Sequence, residues 1–158
     1  MDIRIGIGYD VHRLVANRPL ALGGIIIPHH QGPEAHSDGD VIIHALCDAL
    51  LGALALGDIG IHFPDTDQSN KNMDSKIFLF KIMTLIKNQG FFVVNMDCSL
   101  ILEKPKIKPF IEDMKAALAP ILQVGLDRIS IKATTNEKMG FVGREEGLAA
   151  HVVVLLRK

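Results

Sequence analysis

A chain of 158 residues, 48% of them hydrophobic, is long and apolar enough to build one globular domain with its own core, over residues 1–158. The 17 Lys+Arg and 18 Asp+Glu leave a net charge of −1, with no basic run interleaved with aromatics, which argues against nucleic acid as a partner. The longest apolar run, residues 149–156, is broken by His151 and is too short for a membrane span.

The opening MDIRIGIG enters a strand without a basic region and apolar stretch before it, so no targeting segment is expected. Cys47 and Cys98 lack any C-x-x-C spacing, which fits two reduced apolar fillers and a bacterial-type cytoplasmic location. Ile3, Ile5 and Ile7 alternate with Arg4, Gly6 and Gly8, the period-two pattern of a half-buried strand over residues 2–9. Continued, that alternation sets Asp10 and His12 on one face, about 6.5–7 Å apart. Such a pair can converge on one ion, or it can be a solvated strand end, and a third ligand has to decide.

Two short strands, Leu20–Leu22 and Ile25–Ile27, are expected to hinge at Gly23-Gly24. Residues 28–40, PHHQGPEAHSDGD, read as a loop, and residues 39–56 as a helix with Ser37 or Asp38 as N-cap. On that helix Val41, Ile42, Ala45, Leu46, Ala49, Leu50 and Ala53 share an apolar face. Asp40, His44 and Asp48 form a polar stripe beside it at i, i+4 and i+8. His44 with Asp10 and His12 makes one carboxylate and two imidazoles, a ligand set typical of catalytic zinc with an open position. Asp48, one turn beyond His44, is the candidate for orienting an imidazole from behind the metal.

Residues 57–72 hold too many turn formers for regular structure. Asp58, Asp65 and Asp67 there could hold a divalent cation or sugar hydroxyls, or form a solvated acidic loop. His36 and Ser37 precede the helix, where free backbone N–H groups and the helix dipole favour a phosphate. A second helix is expected over 74–88, capped near Asp74 and ended by Gly90, then a strand over 91–102 and a helix over 109–123 starting at Pro109. Strands over 128–134 and 148–156 bracket TNEKMGFVGREEG. That loop and the strand end before it combine Thr134, Thr135, Lys132, Lys138 and Arg144 with glycines, suited to phosphates but without P-loop spacing. The mixture predicts an α/β fold of the α+β type, a two-layer sandwich of a mixed β-sheet with helices on one face.

Five blocks, GYDVHRL, LGGIIIP, AHSDGDVIIHALCDALLGALALGDIGIHFPDTD, KPKIKPFI and KATTNEKMGFVGREEG, span nearly the whole chain. Together they resemble the 2-C-methyl-D-erythritol 2,4-cyclodiphosphate synthase family of the non-mevalonate isoprenoid pathway. The resemblance implies a lyase that closes 4-diphosphocytidyl-2-C-methyl-D-erythritol 2-phosphate to the cyclic diphosphate and releases CMP. It puts zinc on Asp10, His12 and His44, and a second cation, Mg²⁺ or Mn²⁺, on the diphosphate near Glu137. His36 and Thr135 match the family's transition-state stabilisers.

The substrate positions it implies are Asp10, Val11, His12, His36 and Ser37, then Asp58, Ile59 and Gly60 with Phe63, Pro64, Asp65, Thr66 and Asp67 around the methylerythritol. Leu102, Glu103, Lys104, Pro105, Lys106, Ile107 and Lys108 match the cytidine-diphosphate segment, together with Thr134, Thr135, Asn136 and Glu137. Phe141 and Arg144 match further contacts. Pro33-Glu34 and Asn136 depart from the family's usual residues. A homotrimer is implied, with active sites between subunits and an apolar axial cavity able to take an isoprenoid diphosphate. Two rivals stay open: a metal-dependent phosphoester hydrolase, and a trimeric isoprenoid-diphosphate binding protein.

Overall fold

The computed structural model describes residues 1–64 and 66–158; the expectation for Asp65 lies outside the described residues. The chain runs β1 (Ile3–Ala16), β2 (Leu20–Leu22), β3 (Ile25–Ile27), β4 (Gln31–Pro33), α1 (Val41–Ala53), α2 (Ile59–His62), α3 (Ser75–Asn88), β5 (Phe92–Ile101), α4 (Ile111–Leu122), β6 (Ile129–Thr134), α5 (Gly140–Gly143) and β7 (Gly147–Arg157). Strands order as β4-β1-β7-β5-β6 in one mixed sheet, with β5 and β6 parallel and the other neighbours antiparallel. The β2–β3 hairpin forms a separate two-stranded sheet.

β1 is longer than its apolar alternation suggests. It passes Asp10 and His12 because β7 pairs with it in register from Ile3 to Arg13, Asp10 opposite Ala150 and His12 opposite Leu148, and it reaches Ala16 because β4 pairs with Leu14, Val15 and Ala16. The expected loop over 28–40 also contains a strand, β4, which pairs with the end of β1. Residues 57–72 include the single turn α2 and a 3₁₀ turn at Gln68–Asn70. Pro109 sits in a 3₁₀ turn leading into α4 rather than at its first position.

The core lies between the sheet and the helices. Val152, Val154 and Leu156 of β7 belong to one buried cluster with Leu46, Leu50, Ile82 and Leu118 of the helices. The helix-covered face of β1 is the glycine face: Gly6 and Gly8 are buried while Ile5 and Ile7 remain 71% and 68% exposed. The open face is apolar where β1 meets β7 and polar beyond it, at Asp97, Ser99 and Lys132.

The cap of α1 differs from expectation. Asp40, not Ser37 or Asp38, is the N-cap, and its carboxylate accepts the N–H groups of Ile42 and Ile43. The same carboxylate accepts the N–H groups of Gly23 and Gly24 at 2.9 and 2.7 Å, which ties the β2–β3 turn to the helix. Asp40 is therefore a buried structural acceptor and leaves the polar stripe that holds His44.

Candidate metal centre and active site

β1 and α1 pack backbone against backbone. A Cβ added at Gly8 would lie 1.8 Å from the carbonyl oxygen of Ala45, and one at Gly6 would lie 1.9 Å from that of Ala49. Only glycine on the strand and alanine on the helix permit this approach. Four helical residues rise about 6 Å and two strand residues about 6.6–6.8 Å, so the contacts stay in step along both elements. The next strand position after Gly8 on this face is Asp10. Side chains on a helix lean toward its N-terminus, which carries His44 toward that carboxylate.

Asp10 Oδ2 lies 2.9 Å from His12 Nε2 and 3.0 Å from His44 Nδ1, and the two nitrogens are 3.1 Å apart. Among the described residues, these three side chains form the His/Cys/Asp/Glu group close enough to share an ion. Tetrahedral zinc with bonds of about 2.0–2.1 Å spaces neighbouring donors by roughly 3.3 Å, so the triangle needs only a slight opening to receive the ion. Three lone-pair atoms this close repel one another unless protons or a cation lie among them. Burial alone would raise the Asp10 carboxyl, yet the hydrogen bonds and charge of His12 and His44 outweigh it and hold the group at about 2. Burial lowers His44, but the hydrogen bond and charge of Asp10 raise it further, for a net upward shift.

A cavity of about 360 Å³ opens over this triangle. His36 and Ser37 line it from one side, Ile59, Gly60 and Phe63 from another, and Asn70 and Phe78 complete the wall. Asp48 does not reach an imidazole nitrogen as expected. Its carboxylate accepts the Ile59 N–H at 2.7 Å, so it holds the start of α2 against the cavity instead. His44 Nε2 is met by two hydroxyls, Ser75 Oγ at 2.9 Å and Ser37 Oγ at 3.1 Å. Sequence reasoning missed Ser75, Asn70 and Phe78; they sit far along the chain and no local pattern links them to the site.

His36 lines the cavity and its Nε2 is buried without a hydrogen-bond partner among the described residues. A buried ring nitrogen in that state calls for a ligand or water. Asp58 and Asp67 do not converge: each carboxylate caps its own turn, on Ile61 N–H at 3.0 Å and Ser69 N–H at 2.9 Å.

The remaining candidates gather elsewhere in the same chain. Leu102, Glu103, Pro105, Lys106, Ile107 and Lys108 line a second cavity of about 210 Å³ with Thr134 and Thr135, and it shares no lining residue with the first. Lys104 turns away to Glu145, 2.9 Å distant. Glu103 Oε1 accepts the N–H groups of Asn136 at 2.8 Å and Lys138 at 3.3 Å. That grip matters because Glu137 and Lys138 hold left-handed φ values of 52° and 62°, costly for residues with side chains. Thr135 Oγ1 accepts the Glu137 N–H at 3.3 Å, leaving its own hydroxyl hydrogen free to donate. Val11 and Phe141 line a third cavity with His12, and the exposed Arg144 pairs with Glu146 at 3.0 and 3.1 Å.

A mixed sheet covered by helices on one side, with an Asp/His/His group where strand meets helix, defines a small α/β protein with a candidate divalent-cation site. The profile described as the YgbB family matches residues 3–157, and the chain belongs to that family. It is 55% identical over 159 residues to the 2-C-methyl-D-erythritol 2,4-cyclodiphosphate synthase of Francisella philomiragia, covering 100% of both chains. A solved bifunctional IspDF from Campylobacter jejuni superposes with a TM-score of 0.94 at 44% identity, over 98% of this chain and 42% of that longer one. A 2C-methyl-D-erythritol-2,4-cyclodiphosphate synthase solved in its CDP-bound form gives a TM-score of 0.90 at 40% identity, covering 98% of this chain and 100% of that one.

Proposed function

We propose that this chain is a cyclodiphosphate synthase, a phosphorus–oxygen lyase acting as one 158-residue domain. Its substrate on this reading is 4-diphosphocytidyl-2-C-methyl-D-erythritol 2-phosphate, and its products are the 2,4-cyclodiphosphate and CMP. The observation that carries the reading is the 2.9–3.1 Å triangle of Asp10, His12 and His44 beneath an open cavity. An oxygen of the 2-phosphate forms a bond to the β-phosphorus as the bond from that phosphorus to the CMP oxygen breaks. No protein nucleophile is required, so positioning and charge neutralisation carry the step.

Asp10, His12 and His44 would hold a divalent cation, zinc by their N,N,O donor set, and it would supply Lewis-acid polarisation of phosphate oxygens. His36 and Ser37 hold the 2-phosphate, with His36 Nε2 gaining the partner it lacks. Ile59, Gly60 and Phe63 enclose the methylerythritol carbons and exclude water from the line of attack. Thr135 donates its hydroxyl to the β-phosphate, and Glu137 would hold the Mg²⁺ or Mn²⁺ that accompanies the diphosphate. Lys106 and its neighbours hold the cytidine diphosphate.

The separation of the two cavities within one chain supports a site completed between subunits. The apolar β1–β7 face supports the same assembly: with Ile3, Ile5, Ile7 and Val153 at 55%, 71%, 68% and 37% exposure, it suits burial around the axis of a homotrimer. An isoprenoid diphosphate would fit the apolar axial space. The two buried free thiols suit a reducing cytoplasm, and among the described residues no helix is long and apolar enough to cross a membrane.

Phosphorus NMR of the substrate with protein and divalent cation tests the reading. A cyclic diphosphate with stoichiometric CMP is expected. Open-chain phosphates would point to a hydrolase, and an unchanged substrate would overturn the assignment.

A further inference from the structure

The loop before α1 and the loop before α3 are stitched together, although the residues involved are 37 positions apart. Asn72 N–H donates to the His36 carbonyl at 2.7 Å and Asp38 N–H to the Met73 carbonyl at 3.1 Å. The Asp38 carboxylate then takes both donors of Ser75: Oδ2 accepts its backbone N–H at 2.9 Å, and Oδ1 accepts its hydroxyl. Ser75 is fully buried at the first position of α3.

That arrangement has a directional consequence. A carboxylate accepts and does not donate, so the single hydroxyl hydrogen of Ser75 is committed to Asp38. Ser75 Oγ can therefore meet His44 Nε2, 2.9 Å away, only with a lone pair. A neutral His44 then carries its proton on Nε2 and turns an unprotonated Nδ1 to Asp10 and His12, where a proton on His12 Nε2 can bridge the triangle. The reverse tautomer would set a lone pair against a lone pair at Ser75, and its Nδ1 hydrogen would have to leave before a cation could enter the triangle. Ser37 Oγ also lies within reach of Nε2, at 3.1 Å, and accepts the Gly39 N–H at 3.2 Å, so its own hydroxyl hydrogen can turn into the cavity.

We propose that Asp38 and Ser75 are positioning residues that lock His44 in the Nε2–H tautomer and so set the affinity of the Asp10/His12/His44 site for its cation. The relay rests on the reading of those three side chains as cation ligands. Outer partners of metal-bound imidazoles typically control affinity by about 10–100-fold. Their second task is orientation, since the ring is gripped at Nε2 from behind and cannot rotate out of the triangle.

The test uses full-length protein freed of metal and labelled with ¹⁵N-histidine, held above the titration range of imidazole. Long-range proton–nitrogen correlation reads the tautomer, and competition with a chromogenic chelator reads zinc affinity. Wild type should show His44 as Nε2–H. Asp38→Asn keeps size but presents an amide N–H to Ser75 Oγ, freeing the Ser75 hydroxyl to donate to Nε2 and turning His44 to the Nδ1–H form. Zinc affinity should fall about 10–100-fold in Asp38→Asn and in Ser75→Ala, with Ser37 limiting the loss in the latter. A purely structural role would lower the melting temperature of the metal-free protein and leave the tautomer unchanged, which overturns the proposal. So does an Nδ1–H wild type, or unchanged zinc affinity in both variants. Should Ser75→Ala fail to fold, Asp38→Asn and the wild-type spectrum decide. A wild type that binds no zinc removes the cation reading itself, whereas zinc-competent variants remove only the relay.

Discussion

Gly8→Ala places one methyl group at the contact that brings α1 to β1. The new Cβ would sit 1.8 Å from the Ala45 carbonyl oxygen, and contacts of real Cβ atoms do not fall below 3.0 Å, so helix and strand must separate by at least 3.0 − 1.8 = 1.2 Å. The obstacle is helix backbone, which cannot step aside as a side-chain tip could. Overpacking of this kind costs about 1–3 kcal/mol, or a Tm fall of about 2–12 °C for a domain of this size. His44 moves with the helix while Asp10 and His12 stay with the strand. A displacement of 1.2 Å is large beside the ~0.2 Å tolerance of a metal–ligand distance. Zinc affinity should thus fall further than the about 10–100-fold expected for loss of an outer partner. Gly52→Ala on the same helix is the control. Its Cβ would meet nothing nearer than the Ile7 carbonyl oxygen at 3.9 Å, so it should gain about 0.5–1 kcal/mol from helix propensity and leave zinc binding intact. Thermal melts of metal-free protein and chelator competition measure both. A Gly8→Ala protein with wild-type Tm and wild-type zinc affinity refutes the packing argument.

Thr135→Val removes a hydroxyl donor worth about 2–4 kcal/mol in the transition state, so kcat should drop roughly 30- to 1,000-fold with a smaller change in KM. Because the same oxygen accepts the Glu137 N–H, Thr135→Ser should restore activity; a rise in KM alone in the valine variant demotes Thr135 to a binding contact. His44→Ala should lose its metal by elemental analysis, and mixing it with Lys106→Ala subunits should recover part of the activity, because some interfaces inherit neither lesion. No recovery after verified subunit exchange counts against shared sites. Burial pushes the Cys98 thiol up to about 12 and Cys47 well above its ordinary value, so neither should alkylate in the native protein at mildly alkaline pH. Rapid labelling of the folded form would show that these side chains are reachable.

The convergence of Asp10, His12 and His44 was legible in the chain because it rests on local periodicity. Strand alternation set Asp10 and His12 on one face, and the helical stripe singled out His44; the hairpin at Gly23-Gly24 and the cap at Asp74 were equally local. Whatever depended on two distant segments was not. The partner that carries β1 past Asp10 to Arg13 is β7, at the far end of the chain, and the last stretch to Ala16 pairs with β4; no property of residues 10–16 announces either. Ser37 or Asp38 was the expected cap and Asp40 serves instead, because tertiary donors sorted the acceptors: Gly23 and Gly24 came to Asp40, Ser75 to Asp38. Asp48 had the right spacing to orient an imidazole, yet the Ile59 N–H claimed it, and the imidazole was taken by a serine on another helix. Periodicity fixes which way a side chain points, because one dihedral pattern repeats along a segment. Which partner it meets is settled only when separate segments pack, since each buried donor must then find an acceptor among whatever the fold has brought near.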